Sequence, residues 1–326
     1  MVAIRFETER YTLEPEQSVL DCLLQHGAPI PFSCRNGVCQ TCMMKALDGQ
    51  PPEAAQQGLK DTLRMQQYFL ACICRPEEEL CVALPSQQES AIPATVESLH
   101  PLTKDILLVA LRPHEPLDYR PGQFIHLLRD EHLARSYSLA SVPAADDHLH
   151  LHVRHLPGGH VSGWVHEHLR VGHTVDIRGP AGECFYVPGQ PEQPILLIGT
   201  GSGLAPLYGI LRDALEQGHT GPIRLFHGSR DPDGLYLADP LRELTREYTN
   251  FDYVPCLSGA VVPPHHAAGR VHEVALREVP ELKNWRVYLC GHPAMVQQAQ
   301  MQAFLAGAAI QDIYADAFTV NVTTSL

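Results

Sequence analysis

Long apolar runs and basic charge are both scarce in this chain of 326 residues. No apolar stretch reaches the roughly 18 residues that a membrane-spanning helix needs, and the amino-terminal segment MVAIRFETER has no apolar signal core. Lysine and arginine number 24 against 37 acidic residues, a net charge of −13, whereas nucleic acids and anionic membranes bind basic surfaces. We therefore expect a soluble cytoplasmic protein whose main partner is neither a nucleic acid nor a membrane.

The cysteines that are present need a different explanation from disulfides. Hydrophobic residues make up 44% of the chain, so the two or three domains expected at this length can each bury a core. Seven of the ten cysteines lie before residue 82. Disulfide-stapled domains are usually short and secreted, and this chain is neither short nor provided with an export signal. The crowded thiols therefore indicate metal ligation near the amino terminus.

Three patterns of hydrophobicity follow one another along the chain. Residues 1–90 combine short strands with one helix that runs from an N-cap at Ser18 to Gly27. Residues 91–189 contain closely spaced short strands, which is typical of a small antiparallel β-barrel. Residues 190–326 alternate strands with helices and therefore predict an α/β domain with a parallel sheet. The predicted fold class is multidomain: α+β, then antiparallel β-barrel, then α/β.

A compact cysteine motif gives the strongest chemical signal. Cys34-Arg-Asn-Gly-Val-Cys39-Gln-Thr-Cys42 has the spacing C-x4-C-x2-C, and Cys72 supplies a fourth thiol after 29 intervening residues. This spacing is typical of plant-type [2Fe–2S] clusters, in which four thiolates hold two irons. Gly37 permits a tight loop, and ligation by sulfur alone predicts a low potential, about −400 mV in plant-type ferredoxins.

Two other interpretations of these cysteines remain open. A structural zinc site favours two C-x2-C pairs, and the motif contains only one, so we favour the cluster. Cys74 shares a strand face with Cys72 and is a rival for the position of the fourth ligand. Otherwise Cys22, Cys74 and Cys81 suit the packing of small apolar side chains.

Two motifs in the middle segment predict a flavin site. Arg135-Ser-Tyr-Ser138 falls on a barrel strand, and Gly158-Gly-His-Val-Ser162 precedes a helix predicted over residues 163–169, with its serine as the N-cap. Such a terminus offers free N–H groups to a pyrophosphate, the arginine is a bidentate partner, and the tyrosine can cover an isoalloxazine face. Tyr137 could instead be an ordinary aromatic residue of the barrel core, and Arg135 a surface charge. The presence of both motifs in the expected order favours a flavin site.

Three histidines alternate with apolar residues along the next predicted strand: His148, His150 and His152. An H-x-H-x-H pattern can bind a metal. The same alternation is what a half-buried strand requires, and we interpret the histidines as its exposed face.

The last segment contains two turns that indicate dinucleotide binding. Ile195-Leu-Leu-Ile-Gly199-Thr-Gly201-Ser-Gly203 is a strand with a glycine-rich turn, and Tyr288-Leu-Cys290-Gly291 ends a later strand. Neither is the G-x-G-x-x-G fingerprint, but both lie where parallel strands lead into helices, the edge at which nucleotides bind. His227-Gly-Ser229-Arg230 ends another strand, at the usual place for contacts to the adenosine ribose that distinguish NADH from NADPH. An arginine there suits the 2′-phosphate of NADPH, so the choice stays open, but we favour NADH.

The motifs together resemble a known family. Phe32-Ser-Cys-Arg-Asn-Gly-Val-Cys-Gln-Thr-Cys42, with Leu70-Ala-Cys-Ile-Cys-Arg-Pro76, resembles the ferredoxin domain, of β-grasp type, of the iron–sulfur flavoprotein reductases that serve bacterial oxygenases. The rest resembles the ferredoxin–NADP reductase superfamily. One departure is Gln40, where the family commonly has glycine. The resemblance implies a [2Fe–2S] domain over residues 1–90, an FAD-binding barrel over 91–189 and an NAD(P)H-binding domain over 190–326.

The resemblance also implies roles for individual residues. Arg135 would bind the flavin phosphate, Tyr137 would flank the ring, and Ser138 would bond its N5 edge. Cys290 would lie near the reactive nicotinamide carbon, which makes Ser138 and Cys290 the implied catalytic residues. The ferredoxin domain comes first, which favours FAD over FMN. The implied cofactor-binding residues are Arg135, Tyr137, Ser138, Arg154, Gly159, Ser162, Gly199, Thr200, Gly201, Gly203, Ser229, Arg230, Cys290, Gly291 and Phe318. The implied metal ligands are Cys34, Cys39, Cys42 and Cys72.

The function implied by the resemblance is electron transfer from NAD(P)H through FAD and a [2Fe–2S] cluster to an external acceptor protein. Hydride transfer moves two electrons and the cluster accepts one, so a flavin is required between them. An oxygenase component, or a ferredoxin, is the leading acceptor. The alternatives are a general flavin, ferric or deoxysugar-dehydratase reductase, and a redox-sensing iron–sulfur module.

Overall fold

The computed structural model describes residues 2–85, 91–130 and 133–318. The chain divides into two compact units, Met1–Gln88 and Glu89–Leu326. Within the described residues, one sheet belongs to the first unit and two sheets belong to the second. None of the helices described there is long and apolar enough to span a bilayer.

A five-stranded mixed sheet with two short helices forms the first unit. Its elements are β1 (Ala3–Phe6), β2 (Glu9–Thr12), α1 (Val19–Gln25), β3 (Met43–Asp48), α2 (Asp61–Met65), β4 (Tyr68–Leu70) and β5 (Leu80–Ala83). The strand order is β2-β1-β5-β3-β4, in which only β1 and β5 pair in parallel. Ser18 begins α1 because its hydroxyl accepts the Asp21 N–H, and Gly27, with φ +80°, follows the end of the helix.

The second unit begins with six antiparallel strands that form a barrel. Its elements are β6 (Ile92–Pro101), β7 (Ile106–Pro113), β8 (Phe124–Asp130), β9 (Leu133–Ser138), β10 (Leu149–Arg154), α3 (His160–Glu167) and β11 (Thr174–Ala181). The order β10-β7-β6-β11-β8-β9 is closed by a bridge between Leu139 and Leu151. Alternate side chains of β6, β7, β8, β10 and β11 fill the barrel interior.

A parallel six-stranded sheet completes the second unit. Its elements are β12 (Ile195–Thr200), α4 (Leu204–Glu216), β13 (Ile223–Ser229), α5 (Ala238–Glu247), β14 (Phe251–Leu257), β15 (Ala267–Ala268), α6 (Val271–Glu278), β16 (Arg286–Gly291), α7 (Pro293–Leu305) and β17 (Ile313–Ala317). The order β15-β14-β13-β12-β16-β17 reverses between β12 and β16. A crevice at the carboxyl ends of strands is expected at such a reversal.

The predicted fold class is confirmed, with differences in detail. Helix α3 begins at His160, three residues before the predicted start. Ser162 is therefore not its N-cap; Gly159 occupies that position, and the Ser162 hydroxyl accepts the backbone N–H of Leu156 at 3.2 Å. The elements that were not predicted are strands β3, β4, β5, β6 and β15 and helices α2 and α6.

Candidate functional site

The four predicted cluster ligands form two hydrogen-bonded pairs, Cys34 with Cys39 and Cys42 with Cys72. The backbone N–H of Cys34 donates to the sulfur of Cys39 at 3.4 Å, and the N–H of Cys39 donates to the sulfur of Cys34 at 3.3 Å. The buried Cys42 thiol is hydrogen-bonded to Cys72. Within the described residues, no three potential ligands converge on a point that suits a single metal ion. Two thiol pairs fit a two-iron cluster, which takes four cysteine ligands, better than they fit one zinc ion.

The loop that carries three of these cysteines is shaped by residues in the left-handed region. Gly37 has φ +80°, and its missing Cβ leaves room for Ile73. Gln40 has φ +58°, a conformation that glycine adopts more easily, which gives a physical reason for the family preference at this position. The Gln40 side chain donates to the carbonyl oxygen of Gly58 at 3.2 Å and so fastens the loop to a neighbouring turn.

The thiols differ in acidity according to their surroundings. A hydrogen bond from the Thr41 side chain, together with backbone N–H groups, lowers the pKa of the exposed Cys39 thiol to about 6. Burial raises the pKa of Cys42 to about 11 and that of Cys74 to about 12. Cys74 is fully buried, and in the described part of the chain no hydrogen bond from Cys34, Cys39 or Cys42 influences the pKa of its thiol. The geometry therefore favours Cys72 over Cys74 as the fourth ligand.

Replacing Gly37 with alanine is expected to impair the cysteine loop specifically. The positive φ makes any side chain there strained, by about 1–2 kcal/mol, and the new methyl group would press on Ile73, which follows Cys72 directly. Gly27→Ala is the matched control, because Gly27 has the same φ of +80° but nothing within 4 Å of its missing Cβ. Both variants should lose stability in urea unfolding, Gly37→Ala at least as much as Gly27→Ala, and only Gly37→Ala should lose iron and acid-labile sulfide. Equal iron contents would contradict this assignment.

A cleft of about 1260 Å³ lies in the second unit, between the barrel and the parallel sheet. Twelve of the fifteen residues that the sequence assigned to cofactor binding line it. They are Arg135, Tyr137, Ser138, Arg154, Gly159, Ser162, Thr200, Gly201, Ser229, Arg230, Gly291 and Phe318. Gly199, Gly203 and Cys290 lie behind this lining. The Cys290 thiol is completely buried, 3.6 Å from that of Cys184.

Strand β9 supplies the barrel wall of the cleft. Arg135 is exposed and donates to the carbonyl oxygen of its own neighbour Ala134, and its other guanidinium N–H groups have no partner in the described part of the chain. The Ser138 hydroxyl donates to a carboxylate oxygen of Asp316 on β17 at 3.1 Å. Burial raises the pKa of Asp316. Asp316 was missed in the sequence, where the signal was an acidic residue inside the apolar strand Ile313–Ala317.

Glycines shape the opposite wall, where β12 and β16 end. Gly201 has φ +55°, and Gly203 packs directly on the backbone of Cys290. A Cβ on Gly291 would lie 2.6 Å from the carbonyl oxygen of Thr200. A single 3₁₀ turn, Gly201–Gly203, leads into α4 without a side-chain cap, so backbone N–H groups of this turn are the candidate donors to a phosphate. This wall has the form of a phosphate cradle that any larger side chain would fill.

Arg154 and the ribose-discriminating turn lie along the same cleft. Arg154 is paired with Asp105 at 2.8 Å, and its guanidinium lies 3.2 Å from where a Cβ of Gly201 would be. It therefore stands at the junction of the barrel and the nucleotide turn. Ser229 and Arg230 line the far end, and Arg230 has no ion-pair partner among the described residues.

The interpretation of His152 as part of an exposed strand face is wrong. His152 is only 5% exposed, because the outer face of β10 packs against the parallel-sheet domain, where Tyr236 contacts it. The sequence pattern identified the face that points away from the barrel interior, but gave no sign that a second domain covers it. His148 and His150 are intermediate in exposure.

Comparison with known proteins agrees with this arrangement. Family models match three segments: a 2Fe-2S iron-sulfur cluster binding domain at residues 4–77, an oxidoreductase FAD-binding domain at 94–186 and an oxidoreductase NAD-binding domain at 197–301. The predicted cofactors, a [2Fe–2S] cluster, FAD and NAD(P)H, are therefore confirmed at the level of the domains that bind them.

Relatives similar over nearly the whole chain include two curated proteins and a solved structure. The reductase component of the naphthalene 1,2-dioxygenase system of Pseudomonas putida is 32% identical, over 92% of this chain and 93% of the relative. The reductase subunit of the aromatic O-demethylase of an Amycolatopsis species is 34% identical, over 93% of both chains. The crystal structure of the Amycolatopsis cytochrome P450 reductase GcoB has a TM-score of 0.68 and 31% identity, covering 98% of this chain and 99% of that one. The chain belongs to the iron–sulfur flavoprotein reductases, which pass electrons from NAD(P)H through FAD to a [2Fe–2S] cluster and include reductase components of oxygenase systems.

Proposed function

We propose that this protein delivers electrons from NAD(P)H to the terminal component of a bacterial oxygenase system. The main support for this proposal is the sequence similarity, along nearly the whole chain, to reductases of a naphthalene dioxygenase system and of an aromatic O-demethylase. The surface of the cysteine loop supports a protein as acceptor. Cys39 is exposed, and Val38 beside it is 75% exposed, so the thiol pair lies within reach of a partner.

In this proposal the barrel wall of the cleft binds FAD, and the parallel-sheet wall binds the pyridine nucleotide. In this proposal Arg135 and the N-terminus of α3 at Gly159 hold the flavin phosphates, and Tyr137 packs on the ring. Because the Ser138 hydroxyl donates its proton to Asp316, it would act at the N5 edge as an acceptor, for the N–H of the reduced flavin. When bound, FAD supplies the conversion of a hydride pair into single electrons, and the protein contributes position and potential.

The parallel-sheet wall holds the pyridine nucleotide in this proposal. The turns at Gly199–Gly203 and at Gly291 accept its phosphates and bring its nicotinamide towards Ser138. Cys290 acts through position only, because a thiol with no exposure and a pKa raised by burial is a poor nucleophile. Ser229 and Arg230 contact the adenosine ribose, and Phe318 closes the cleft at the flavin. None of the ten cysteines forms a disulfide in the described part of the chain, which supports a reducing cytoplasmic location.

The test is NADH-driven turnover of the purified holoprotein with a series of acceptors. We expect steady reduction of ferricyanide and cytochrome c. With the correct terminal oxygenase, NADH consumption should become strictly dependent on the oxygenase substrate. Uncoupled consumption with every candidate oxygenase would instead support a general flavin, ferric or dehydratase-type reductase. An intact cluster without turnover would support a redox-sensing module.

A further inference from the structure

A row of four buried or half-buried rings links the barrel to the nucleotide-binding sheet. His152 on β10 contacts Tyr236, with ring centroids 5.3 Å apart and an interplanar angle of 78°. Tyr236 in turn contacts His227 edge-on at 5.6 Å, and the Nδ1 atom of His227 lies 3.4 Å from the hydroxyl of Tyr253. His227 immediately precedes the turn at Gly228-Ser229-Arg230, so the row ends beneath the ribose-discriminating turn.

The hydrogen bond at the start of this row determines the tautomer of His152. The Nδ1 atom of His152 is 3.1 Å from the hydroxyl of Tyr236, which is 3% exposed. Among the described residues the hydroxyl has no other hydrogen-bond partner, so donation from the hydroxyl to Nδ1 is the one arrangement that leaves no buried O–H unpaired. Burial lowers the pKa of His152 to about 3, so the ring is neutral and carries its single proton on Nε2.

That Nε2–H group is a donor without a partner in the described part of the protein. His152, Arg154 and Gly201 all line the cleft, and strand β10, which carries the first two, contacts the turn at Gly201–Gly203. Phosphate and ribose oxygens of a dinucleotide are the acceptors that this turn brings into the cleft. A neutral imidazole donor on the barrel side would face them.

We propose that His152 donates a hydrogen bond from Nε2 to the bound pyridine nucleotide, and that Tyr236 is the positioning residue that keeps the proton on Nε2. This inference rests on the proposed placement of the pyridine nucleotide in the cleft. It adds a contact from the flavin barrel to a nucleotide that is held mainly by the parallel sheet. Nucleotide binding is therefore coupled to the distance between the barrel wall and the sheet wall of the cleft.

The test is Tyr236→Phe, with Tyr186→Phe as a matched control. Tyr186 makes the same type of buried pair, with its hydroxyl 3.2 Å from Nδ1 of His219 and its ring 5.7 Å away at 87°, but neither residue lines the cleft. Both variants should lower the thermal midpoint similarly and keep full FAD. Only Tyr236→Phe should weaken NAD⁺ binding in calorimetry, by up to about tenfold, the loss expected when the proton moves to Nδ1 and the hydrogen bond to a charged acceptor is no longer made. Its KM for NADH should rise while kcat with ferricyanide stays near the wild-type value.

A spectroscopic measurement tests the tautomer without turnover. Nitrogen-15 NMR of histidine-labelled wild-type protein should show the His152 proton on Nε2, perturbed by NAD⁺, and Tyr236→Phe should shift it towards Nδ1. A proton on Nδ1 in the wild type, or equal NAD⁺ affinity in the two tyrosine variants, would overturn the proposal. Loss of FAD from Tyr236→Phe would also overturn it, because His152 would then serve the flavin. Failure of the wild-type protein itself to bind NAD⁺ would instead count against the proposed function.

Discussion

Replacing Cys72 with alanine should abolish cluster-dependent electron transfer while leaving the flavin reaction intact. Without a fourth thiolate the two irons lose one ligand, so visible cluster absorbance should disappear and cytochrome c reduction should fall by about a hundredfold. Ferricyanide, which can take electrons directly from a flavin, should still be reduced within about twofold of the wild-type rate. Iron content, the visible spectrum and the two acceptor assays measure these effects on one preparation.

Cys74→Ala is the matched control for this experiment. Cys74 lies two residues from Cys72 and is likewise buried, but it lacks the hydrogen bond to Cys42 that Cys72 makes. The variant removes one buried sulfur atom and should lose some stability, yet keep its cluster and its cytochrome c activity. Loss of the cluster from Cys74→Ala, with retention in Cys72→Ala, would show that the fourth ligand has been assigned to the wrong residue.

Replacing Arg135 with alanine should release the flavin. An arginine–phosphate pair contributes about 1.5–3 kcal/mol, so the affinity for FAD should fall by about 10- to 100-fold. Titration of the apoprotein with FAD measures the affinity directly, and gel filtration of the purified variant gives its flavin content. Cluster content should be unchanged, because the cysteine loop belongs to the other compact unit.

Arg112→Ala is a suitable control for the loss of an arginine from the same barrel. Arg112 lies on β7, pairs with Glu97 at 2.6 Å and does not line the cleft. Arg135→Lys should recover part of the affinity, because lysine keeps the charge but loses the planar fork. Full flavin content in Arg135→Ala would exclude a phosphate contact at this residue.

Local chemistry explains which parts of the fold were predictable. Helices α4 and α7 begin and end at the predicted residues, because glycine, proline and apolar periodicity mark their limits. Strand β6 was missed because prolines stand near both of its ends and serine, histidine and glutamate interrupt it, although both of its edges are paired. Helix α6 is short and has no side-chain cap, so no start signal precedes it.

In the site, too, the features that depend on neighbouring residues were predictable, and those that depend on contacts between distant residues were not. The cysteine loop and the glycine turns are continuous in sequence, so their residue types carried the prediction. Ser138 and Asp316 are 178 residues apart, and no local pattern connects them. His152 and Tyr236 meet only because two domains pack together, which periodicity along a single strand does not encode.

The order in which the cleft is assembled follows from the position of β17. The barrel strands that carry Arg135 and Ser138 emerge from the ribosome long before Asp316 and Phe318, which come from the final described strand and the residue after it. A barrel that folds as it is synthesised therefore waits, with one wall of its cofactor site missing, until synthesis has passed β17. Flavin capture is accordingly expected to be a late event in biogenesis, following the closure of the parallel sheet.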